Sequence, residues 1–243
     1  MSIPIFMTSW HRRDMTERAV REIHERTTPG TFELSIYDNG SGKETRDYLI
    51  SLLDEGKITS LVLDSRNTGC VYNKGVFHMM TESTSEYYVV TDNDVLPPKL
   101  SPDWLSQMVA IMGKHPELGM LAPQLPPQWL QEPMGVQDDV MYCKAVGNTL
   151  KLVRRIAFPI AEFKQSLGAY GDDGIVSRQM REKGWKVAFC RGIFCLHAGQ
   201  CKDWGYSKDQ IALDPRKSGY GEPFTYEMAD WDTYTPTDKF RLG

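Results

Sequence analysis

The sequence lacks a long apolar segment. No stretch approaches the roughly 18 consecutive apolar residues of a membrane-spanning helix, and the first residues, Met1 to Phe6, show no basic segment followed by an apolar run. We therefore expect no transmembrane helix and no secretory signal. A cytoplasmic protein, soluble or held peripherally at a membrane, is the corresponding expectation.

The sequence also lacks an excess of charge of one sign and an even set of cysteines. The chain has 28 Lys and Arg residues and 32 Asp and Glu residues, which gives a net charge of -4. No overall electrostatic field therefore attracts it to nucleic acid. The five cysteines do not suit a secreted disulfide framework, and we expect reduced thiols. With 243 residues, 41% of them apolar, the chain is long enough for one large domain with its own core.

The first half of the chain alternates short apolar runs with amphipathic stretches, a pattern typical of a parallel sheet with helices on both faces. It predicts strands at 3–8, 32–37, 58–63 and 87–91. It predicts helices from a capping box at Asp14 and Glu17 to about Arg26, at 44–53 and at 73–80.

The second half shows a weaker alternation. We predict helices at 103–114 and 173–183 and strands at 118–122, 149–154, 186–189 and 193–196. Residues 200–243 contain several aromatic side chains, among them Trp204, Tyr206 and Trp231, with little periodicity. This irregular segment is expected to wrap the domain or to form a lid.

Polar residues follow two of the predicted strands. Asp92-Asn93-Asp94 comes after the fourth strand, and ligands of open α/β sheets collect at the carboxyl ends of strands. Two carboxylates one residue apart suit a hard cation and a nearby ribose or diphosphate. Taken alone, the tripeptide fits an ordinary turn better, and so does Asp38-Asn39-Gly40-Ser41 after the second strand.

Other polar groups precede predicted helices. Arg66-Asn67-Thr68-Gly69 and Asn73-Lys74-Gly75 suit either an anion site or a plain connection. Gly171-Asp172-Asp173-Gly174 begins a helix with two adjacent acids, more than a cap requires, and such a pair favours general-base chemistry. His197 follows an apolar strand, where it is either a structural histidine or a ligand for a divalent ion.

These pieces, taken in order, resemble the inverting glycosyltransferases of family 2, which have the GT-A fold. The similarity runs from about Ile3 to Gly199. The motifs that carry it are Thr8-Ser9, Tyr37-Asp38-Asn39-Gly40-Ser41, Arg66-Asn67-Thr68-Gly69 with Asn73-Lys74-Gly75, Thr91-Asp92-Asn93-Asp94, Gly171-Asp172-Asp173 and His197.

The resemblance implies an α/β fold with a GT-A type, Rossmann-like, doubly wound mixed sheet. It implies a nucleotide-binding half at 1–98 and an acceptor-binding half at 99–199 of one domain. The implied enzyme is a metal-dependent, hexosyltransferase-like transferase that moves a sugar from a nucleotide-diphosphate donor, with UDP favoured, to a hydroxyl group with inversion. The acceptor would be a glycan, a lipid-linked sugar, a protein or modified DNA.

The resemblance also implies a role for each motif. Thr8, Ser9 and Asp38 would bind the base and ribose, Asn67 would lie beside them, and Asp92 would contact ribose or metal. Asp94 would bind Mn²⁺ or Mg²⁺ in a DxD motif, and His197 would touch the metal or the diphosphate. Asp173 would be the general base and Asp172 would orient the acceptor. Because Asp172 stands where the family more often has Glu, an exchange of these two roles stays open.

Two other classes of protein remain open from the sequence. A nucleotidyltransferase would use a similar sheet, although no glycine-rich basic loop follows the first strand, where His11-Arg12-Arg13 is the one basic cluster. A zinc-binding or adaptor module would use Cys190, Cys195, His197 and Cys201, whose spacing matches no common zinc motif. Metal analysis of protein purified without added zinc separates the second class from a transferase.

Overall fold

The computed structural model describes residues 2–65, 83–125, 133–158 and 172–198. Its strands are β1 (Ile3–Ser9), β2 (Phe32–Asp38), β3 (Ser60–Leu63), β4 (Tyr87–Asp92), β5 (Val95–Leu96), β6 (Leu118–Gln124), β7 (Gly135–Gln137), β8 (Val140–Tyr142), β9 (Lys151–Arg154), β10 (Lys186–Phe194) and β11 (Leu196–His197). Its helices are α1 (Arg13–Arg26), α2 (Lys43–Asp54), α3 (Trp104–Lys114) and α4 (Asp172–Glu182), with a 3-10 turn at Arg155–Ala157.

The strands of the described residues form one large mixed sheet and one small sheet. The large sheet has the order β3-β2-β1-β4-β9-β6-β10-β8-β7, and β5 pairs with β11 beside it. The pairs β3–β2, β2–β1, β1–β4 and β6–β10 are parallel. Strand β9 runs antiparallel to both β4 and β6, so β6 and β10 point in the same direction as β4. The predicted α/β class with a mixed sheet is confirmed.

Alternate strand residues point into two separate apolar layers. In β1, Ile5 and Met7 join the layer that contains the buried faces of α1, α2 and α3. Phe6, between them, joins the other layer, which contains Val176 and Met180 of α4. Strands covered on both faces read as continuous apolar runs, which is why the sequence pattern located them well.

The predicted capping box of α1 is wrong. The helix begins at Arg13, and Arg12 at the N-cap position has left-handed backbone angles of φ 52° and ψ 55° and makes no side-chain cap. Helix α3 has the ordinary arrangement instead, because Asp103 Oδ1 accepts hydrogen bonds from the backbone N–H groups of Leu105 and Ser106 at 3.0 and 3.1 Å. The start predicted for α3 is confirmed.

The second half contains further differences from the predicted elements. The strand predicted at 186–189 and the first part of the strand predicted at 193–196 form one strand, β10, with two register shifts and with Gly192 at φ 84°, whereas Leu196 belongs to β11. The short strands β5, β7 and β8 were not predicted, because two or three residues carry too little periodicity. The helix predicted at 73–80 and the aromatic segment at 200–243 lie outside the described residues.

Three cysteines in the described residues, Cys143, Cys190 and Cys195, are buried free thiols, as expected. Cys70 and Cys201 lie outside the described residues. Among the helices that the structure describes, none combines the length and the apolar character needed to cross a membrane.

The packing of β6 against the 3-10 turn and against the residue that precedes β10 can be tested. A Cβ atom added at Gly119 of β6 would lie 2.9 Å from Ala157 Cβ and 3.0 Å from Trp185 Cβ. We expect Gly119→Ala to lower the free energy of unfolding by about 1–3 kcal/mol, because overpacking strains a dense core. A Cβ atom added at Gly113 of α3 would have no atom within 4 Å. Gly113→Ala should therefore raise the free energy of unfolding by up to about 1 kcal/mol. Urea unfolding measures both, and a Gly119→Ala chain as stable as wild type would contradict the packing.

Candidate active site

Four of the predicted site residues lie side by side at the carboxyl ends of neighbouring strands. In the sheet register, Thr8 of β1 is opposite Asp92 of β4, and Ser9 of β1 is opposite Asp38 of β2. Adjacent strands are about 4.8 Å apart, so these residues form a short row along one edge. Asn67 lies outside the described residues.

The hydroxyl groups of β1 have different surroundings. Thr8 is buried, and its Oγ1 atom has no hydrogen-bond partner in the structure. Ser9 is fully buried and its Oγ atom lies 3.4 Å from Thr16 Oγ1 in α1. Thr8 therefore offers an unused polar atom at the strand end, whereas the side chain of Ser9 contacts α1.

Asp38 is a buried carboxylate with little compensation of its charge. Its Oδ2 atom accepts a hydrogen bond from the Ser41 backbone N–H at 3.0 Å, and the Nε atom of Arg46 is 4.0 Å away. Its Oδ1 atom is buried with no hydrogen-bond partner. Burial raises the pKa of Asp38, although the bonds to Ser41 and the charge of Arg46 oppose this. A ligand hydroxyl or N–H group that reaches Oδ1 would satisfy it.

The loop between β1 and α1 is held by polar side chains from two other strand ends. The backbone N–H of His11 donates to Ser41 Oγ at 2.7 Å. Asn93, the middle residue of Asp92-Asn93-Asp94, donates from Nδ2 to Thr16 Oγ1 at 2.7 Å and more weakly to the His11 carbonyl at 3.4 Å. The sequence analysis gave no role to Asn93, whose function here is to fix this loop.

Asp94 is the best-compensated acid of the site. Its Oδ2 atom accepts a 2.8 Å salt bridge from Arg12 Nη2 and lies 3.2 Å from His197 Nε2. Burial opposes ionisation of Asp94, but the charges and hydrogen bonds of His197 and Arg12 outweigh it and hold the pKa of this carboxyl below its usual range. The other oxygen, Oδ1, is buried and has no hydrogen-bond partner among the residues that the structure describes.

His197 reaches Asp94 through backbone pairing. His197 is opposite Val95 in the antiparallel pair β5–β11, and the Ala198 N–H donates to the Asp94 carbonyl at 2.7 Å. The structure therefore brings His197 to the acidic tripeptide, whereas its contact with a metal ion or a diphosphate stays a prediction. Arg12 was noted in the sequence only as part of a basic cluster, and nothing in that cluster indicates a contact with Asp94.

The predicted acids Asp172 and Asp173 begin α4. Because α4 leads through a short turn into β10, it runs back along a strand that is parallel to β4. A helix in this position starts at the carboxyl edge of the parallel strands. The topology therefore places the start of α4 on the same edge as Asp38, Asp92 and Asp94.

The predicted Mn²⁺ or Mg²⁺ ion was tested against these side chains. Asp94 Oδ1 is a hard, negatively charged ligand without a protein partner, Asp92 is two residues away, and His197 is in contact with the same carboxylate. The described residues hold no group of three or more His, Cys, Asp or Glu side chains arranged as a complete metal site. This donor set fits an ion that takes its other ligands from a diphosphate and water, as Mg²⁺ commonly does.

The cysteines of the zinc hypothesis are packing residues in the described structure. Cys190 and Cys195 are fully buried in the layer under α1–α3, and burial raises the pKa of both thiols. His197 is directed to Asp94, and Cys201 lies outside the described residues. A zinc site made of Cys190, Cys195 and His197 finds no support here.

The electrostatics of Asp38 predict an unusual effect on stability. Since its pKa is raised in the folded chain, the folded chain binds that proton more tightly than the unfolded chain, and stability falls as the pH rises from the ordinary pKa through the raised one. We expect Asp38→Asn to leave the free energy of unfolding at pH 7 unchanged or to raise it by up to about 1 kcal/mol.

A matched control for Asp38 is Asp103. Burial also opposes ionisation of Asp103, but hydrogen bonds from Thr28, Ser106 and the Leu105 N–H lower its pKa. Asp103→Asn should therefore lower the free energy of unfolding at pH 7 by about 1 kcal/mol, because an amide nitrogen replaces the oxygen that accepts from the Thr28 and Ser106 hydroxyls. Urea unfolding at pH 7 and pH 4 compares the two variants. Equal losses of stability would contradict the assignment of Asp38 as an uncompensated acid.

Comparison with known proteins gives a family match and a fold match. Residues 5–125 match the family described as "Glycosyl transferase family 2". No curated protein sequence matches the chain at a significant level. Among solved structures, the mannosyltransferase PcManGT of Pyrobaculum calidifontis, in complex with GDP-Man and Mn²⁺, has 16% identity and a TM-score of 0.61, covering 89% of this chain and 60% of that protein.

Two further solved structures resemble the chain to a similar degree. S. aureus TarS 1–349 in complex with UDP-GlcNAc has 12% identity and a TM-score of 0.60, covering 88% of this chain and 64% of that one. GalNAc-T7 with UDP, GalNAc and Mn²⁺ has 15% identity and a TM-score of 0.58, covering 81% of this chain and 43% of that one. The chain thus spans less than two thirds of these structures. The family match and the shared fold show that it belongs to glycosyl transferase family 2 and has the GT-A fold.

Proposed function

We propose that the chain is a metal-dependent glycosyltransferase that moves a sugar from a nucleotide-diphosphate donor to an acceptor hydroxyl with inversion. The observation that carries this proposal is the row of strand-end side chains that ends in Asp94, whose buried Oδ1 atom lacks a hydrogen-bond partner. The family match supports the same activity.

The nucleotide would bind along the row formed by Thr8, Asp38 and Asp92. Thr8 Oγ1 and Asp38 Oδ1 are buried polar atoms without partners in the structure, and the hydroxyl and N–H groups of a nucleoside would satisfy them. Asp92 is half-buried at the end of β4 and is suited to ribose or metal. We also propose that Asn67 and Ser9 contribute to this site. Ser9 would contribute through its position at the end of β1, since its side chain contacts α1.

UDP is the nucleotide that we favour. The similar structures were solved with different ligands: GDP-Man for PcManGT, UDP-GlcNAc for TarS and UDP for GalNAc-T7. The common part of these ligands is the diphosphate. Asp94, Asp92 and His197 would hold Mn²⁺ or Mg²⁺ beside it, and a bound ion would stabilise the negative charge of the departing diphosphate.

The acceptor hydroxyl would be activated at the start of α4. A sugar or side-chain hydroxyl does not ionise at neutral pH, so a carboxylate has to remove its proton as the new bond forms. We propose Asp173 as this base and Asp172 as the residue that orients the acceptor. The acceptor oxygen bonds to the anomeric carbon, the bond to the diphosphate breaks, and the proton passes to Asp173. Attack opposite the leaving group inverts the anomeric centre.

The two halves of the domain would then have different tasks. Every donor residue named above except His197 lies within residues 1–98, which form the proposed nucleotide-binding half. Residues 99–199 contain α4 and form the proposed acceptor-binding half. The acceptor class remains as the resemblance implies, a glycan, a lipid-linked sugar, a protein or modified DNA.

The metal and donor are tested together by thermal denaturation with a panel of UDP- and GDP-sugars, with Mn²⁺ or EDTA. We expect at least one UDP-sugar to stabilise the chain by about 2–3 kcal/mol at a concentration near 100 times its Kd, and EDTA to abolish this effect. Asp94→Asn should abolish it as well, because it removes the negative charge that the ion requires.

Asp47→Asn is the control for that experiment. Asp47 is an exposed residue of α2 that pairs with Lys43 at 2.6 Å, so its variant should behave as wild type. Stabilisation by nucleotide-sugars that persists in EDTA, or in Asp94→Asn, would contradict metal-dependent binding. Incorporation of the nucleotide itself into product would indicate a nucleotidyltransferase.

The base is tested by variants at the start of α4. Asp173→Asn should lower the transfer rate by about 10²-fold or more and leave donor affinity nearly unchanged, because a positioned base acts only on the acceptor. Asp172→Asn should lower the transfer rate less than Asp173→Asn does, and it should raise the apparent KM of the acceptor. Calorimetry measures donor affinity and a transfer assay measures the rate. If Asp172→Asn proves the more damaging variant, the two roles are exchanged.

A further inference from the structure

The loop between β1 and α1 has an unfavourable backbone conformation. His11 and Arg12 both have φ 52°, in the left-handed region that residues other than Gly seldom adopt; His is one of the commoner exceptions and Arg is not. Such residues persist where the surrounding structure holds them, and they are concentrated at functional sites. Here the His11 N–H donates to Ser41 Oγ and Asn93 Nδ2 donates to the His11 carbonyl, and these two bonds hold the loop in place.

The consequence of this conformation is the position of the Arg12 side chain. Its Nη2 atom lies 2.8 Å from Asp94 Oδ2, and the two side chains are only 9% and 3% exposed. The backbone carbonyl of Arg12 accepts hydrogen bonds from Met15 and Thr16, but its side chain does not cap helix α1. An arginine side chain cannot accept hydrogen bonds from the N–H groups at a helix start. A cation is also unfavourable at the positive end of the helix dipole. The contact with Asp94 is therefore what explains the place of Arg12.

Arg12 affects how Asp94 would bind a divalent ion. The guanidinium and His197 both contact Oδ2, which leaves Oδ1 as the oxygen that has no partner. An ion bound at Oδ1 would lie close to a fixed positive charge in a buried site, where repulsion is strong. A diphosphate would change this balance, because its oxygens attract both the ion and the guanidinium, whose forked N–H groups suit phosphate.

We propose that Arg12 couples metal binding to nucleotide binding, so that Asp94 holds a divalent ion weakly alone and tightly only together with a nucleoside diphosphate. The diphosphate part of this inference rests on the proposed function. Arg12 is a positioning residue in this scheme. Linkage makes the effect reciprocal, so the nucleotide is also bound weakly without the ion.

The experiment measures the Kd of Mn²⁺ by the electron paramagnetic resonance signal of the free ion, without and with saturating UDP. In the wild-type chain we expect UDP to tighten Mn²⁺ binding at least about tenfold. In Arg12→Gln, which keeps an amide donor near Asp94 but removes the charge, Mn²⁺ alone should bind at least about tenfold more tightly. The additional effect of UDP should fall to less than about threefold.

Two further variants separate charge from geometry and from folding. Arg13→Gln removes the same charge from the neighbouring residue, which is 42% exposed and pairs with Glu44, and it should leave both Kd values unchanged. Arg12→Lys keeps the charge, so Mn²⁺ alone should still bind weakly. Circular dichroism and the Tm of each variant confirm folding. If Arg12→Gln does not fold, the wild-type comparison remains decisive, because tight binding of Mn²⁺ without nucleotide overturns the proposal.

The outcomes distinguish this inference from the proposed function. If UDP tightens Mn²⁺ binding equally in the wild-type chain and in Arg12→Gln, the function stands and the role of Arg12 is wrong. If no UDP or GDP binds any variant, the proposed function fails, whereas the Mn²⁺ affinities without nucleotide still test Arg12. Unchanged Mn²⁺ affinity in Arg12→Gln overturns the inference in either case.

Discussion

The candidate site depends on the compensation of one buried carboxylate, Asp94. A buried charge that loses its partner costs several kcal/mol, so the folded chain has to bring positive groups to this position. Arg12 comes from the loop before α1 and His197 from β11. The pairing of β11 with β5 places His197 beside Asp94, and the left-handed conformation of the loop places Arg12 there. Three segments that are far apart in the sequence are thereby joined at the end of β4.

The other acid in the row has the opposite environment. Asp38 is as deeply buried as Asp94, yet the Arg46 guanidinium approaches it only to 4.0 Å and burial raises the pKa of its carboxyl. The two ends of this row therefore differ: the charge of Asp94 is compensated by nearby groups, and the charge of Asp38 is compensated only a little. Neutral hydrogen-bonding groups suit the Asp38 end, and a cation with an anionic partner suits the Asp94 end. A nucleotide with its base at one end and its diphosphate at the other matches this division.

The sequence predicted the sheet well because its central strands are buried on both faces, as Ile5, Phe6 and Met7 illustrate. The candidates Asp38 and Asp92 follow from the rule that ligands collect at carboxyl ends of strands, whereas Thr8 follows only from the resemblance to the family. The conformation of His11 and Arg12 could not be predicted, since residues at positions 41, 93 and 94 determine it. Local propensity instead suggested a capping box at Asp14 and Glu17, which long-range contacts override.

The mixed direction of the strands explains how donor and acceptor residues come together. A single antiparallel strand, β9, lies between β4 and β6, so the second half of the sheet keeps the direction of the first. If β9 were absent and β6 paired antiparallel with β4, α4 would begin at the opposite edge, far from Asp94. Instead, Asp172 and Asp173 start a helix at the edge where β4 ends. The orientation of one short strand therefore keeps the two proposed halves at the same edge of the sheet, and no periodicity in its four residues reveals that orientation.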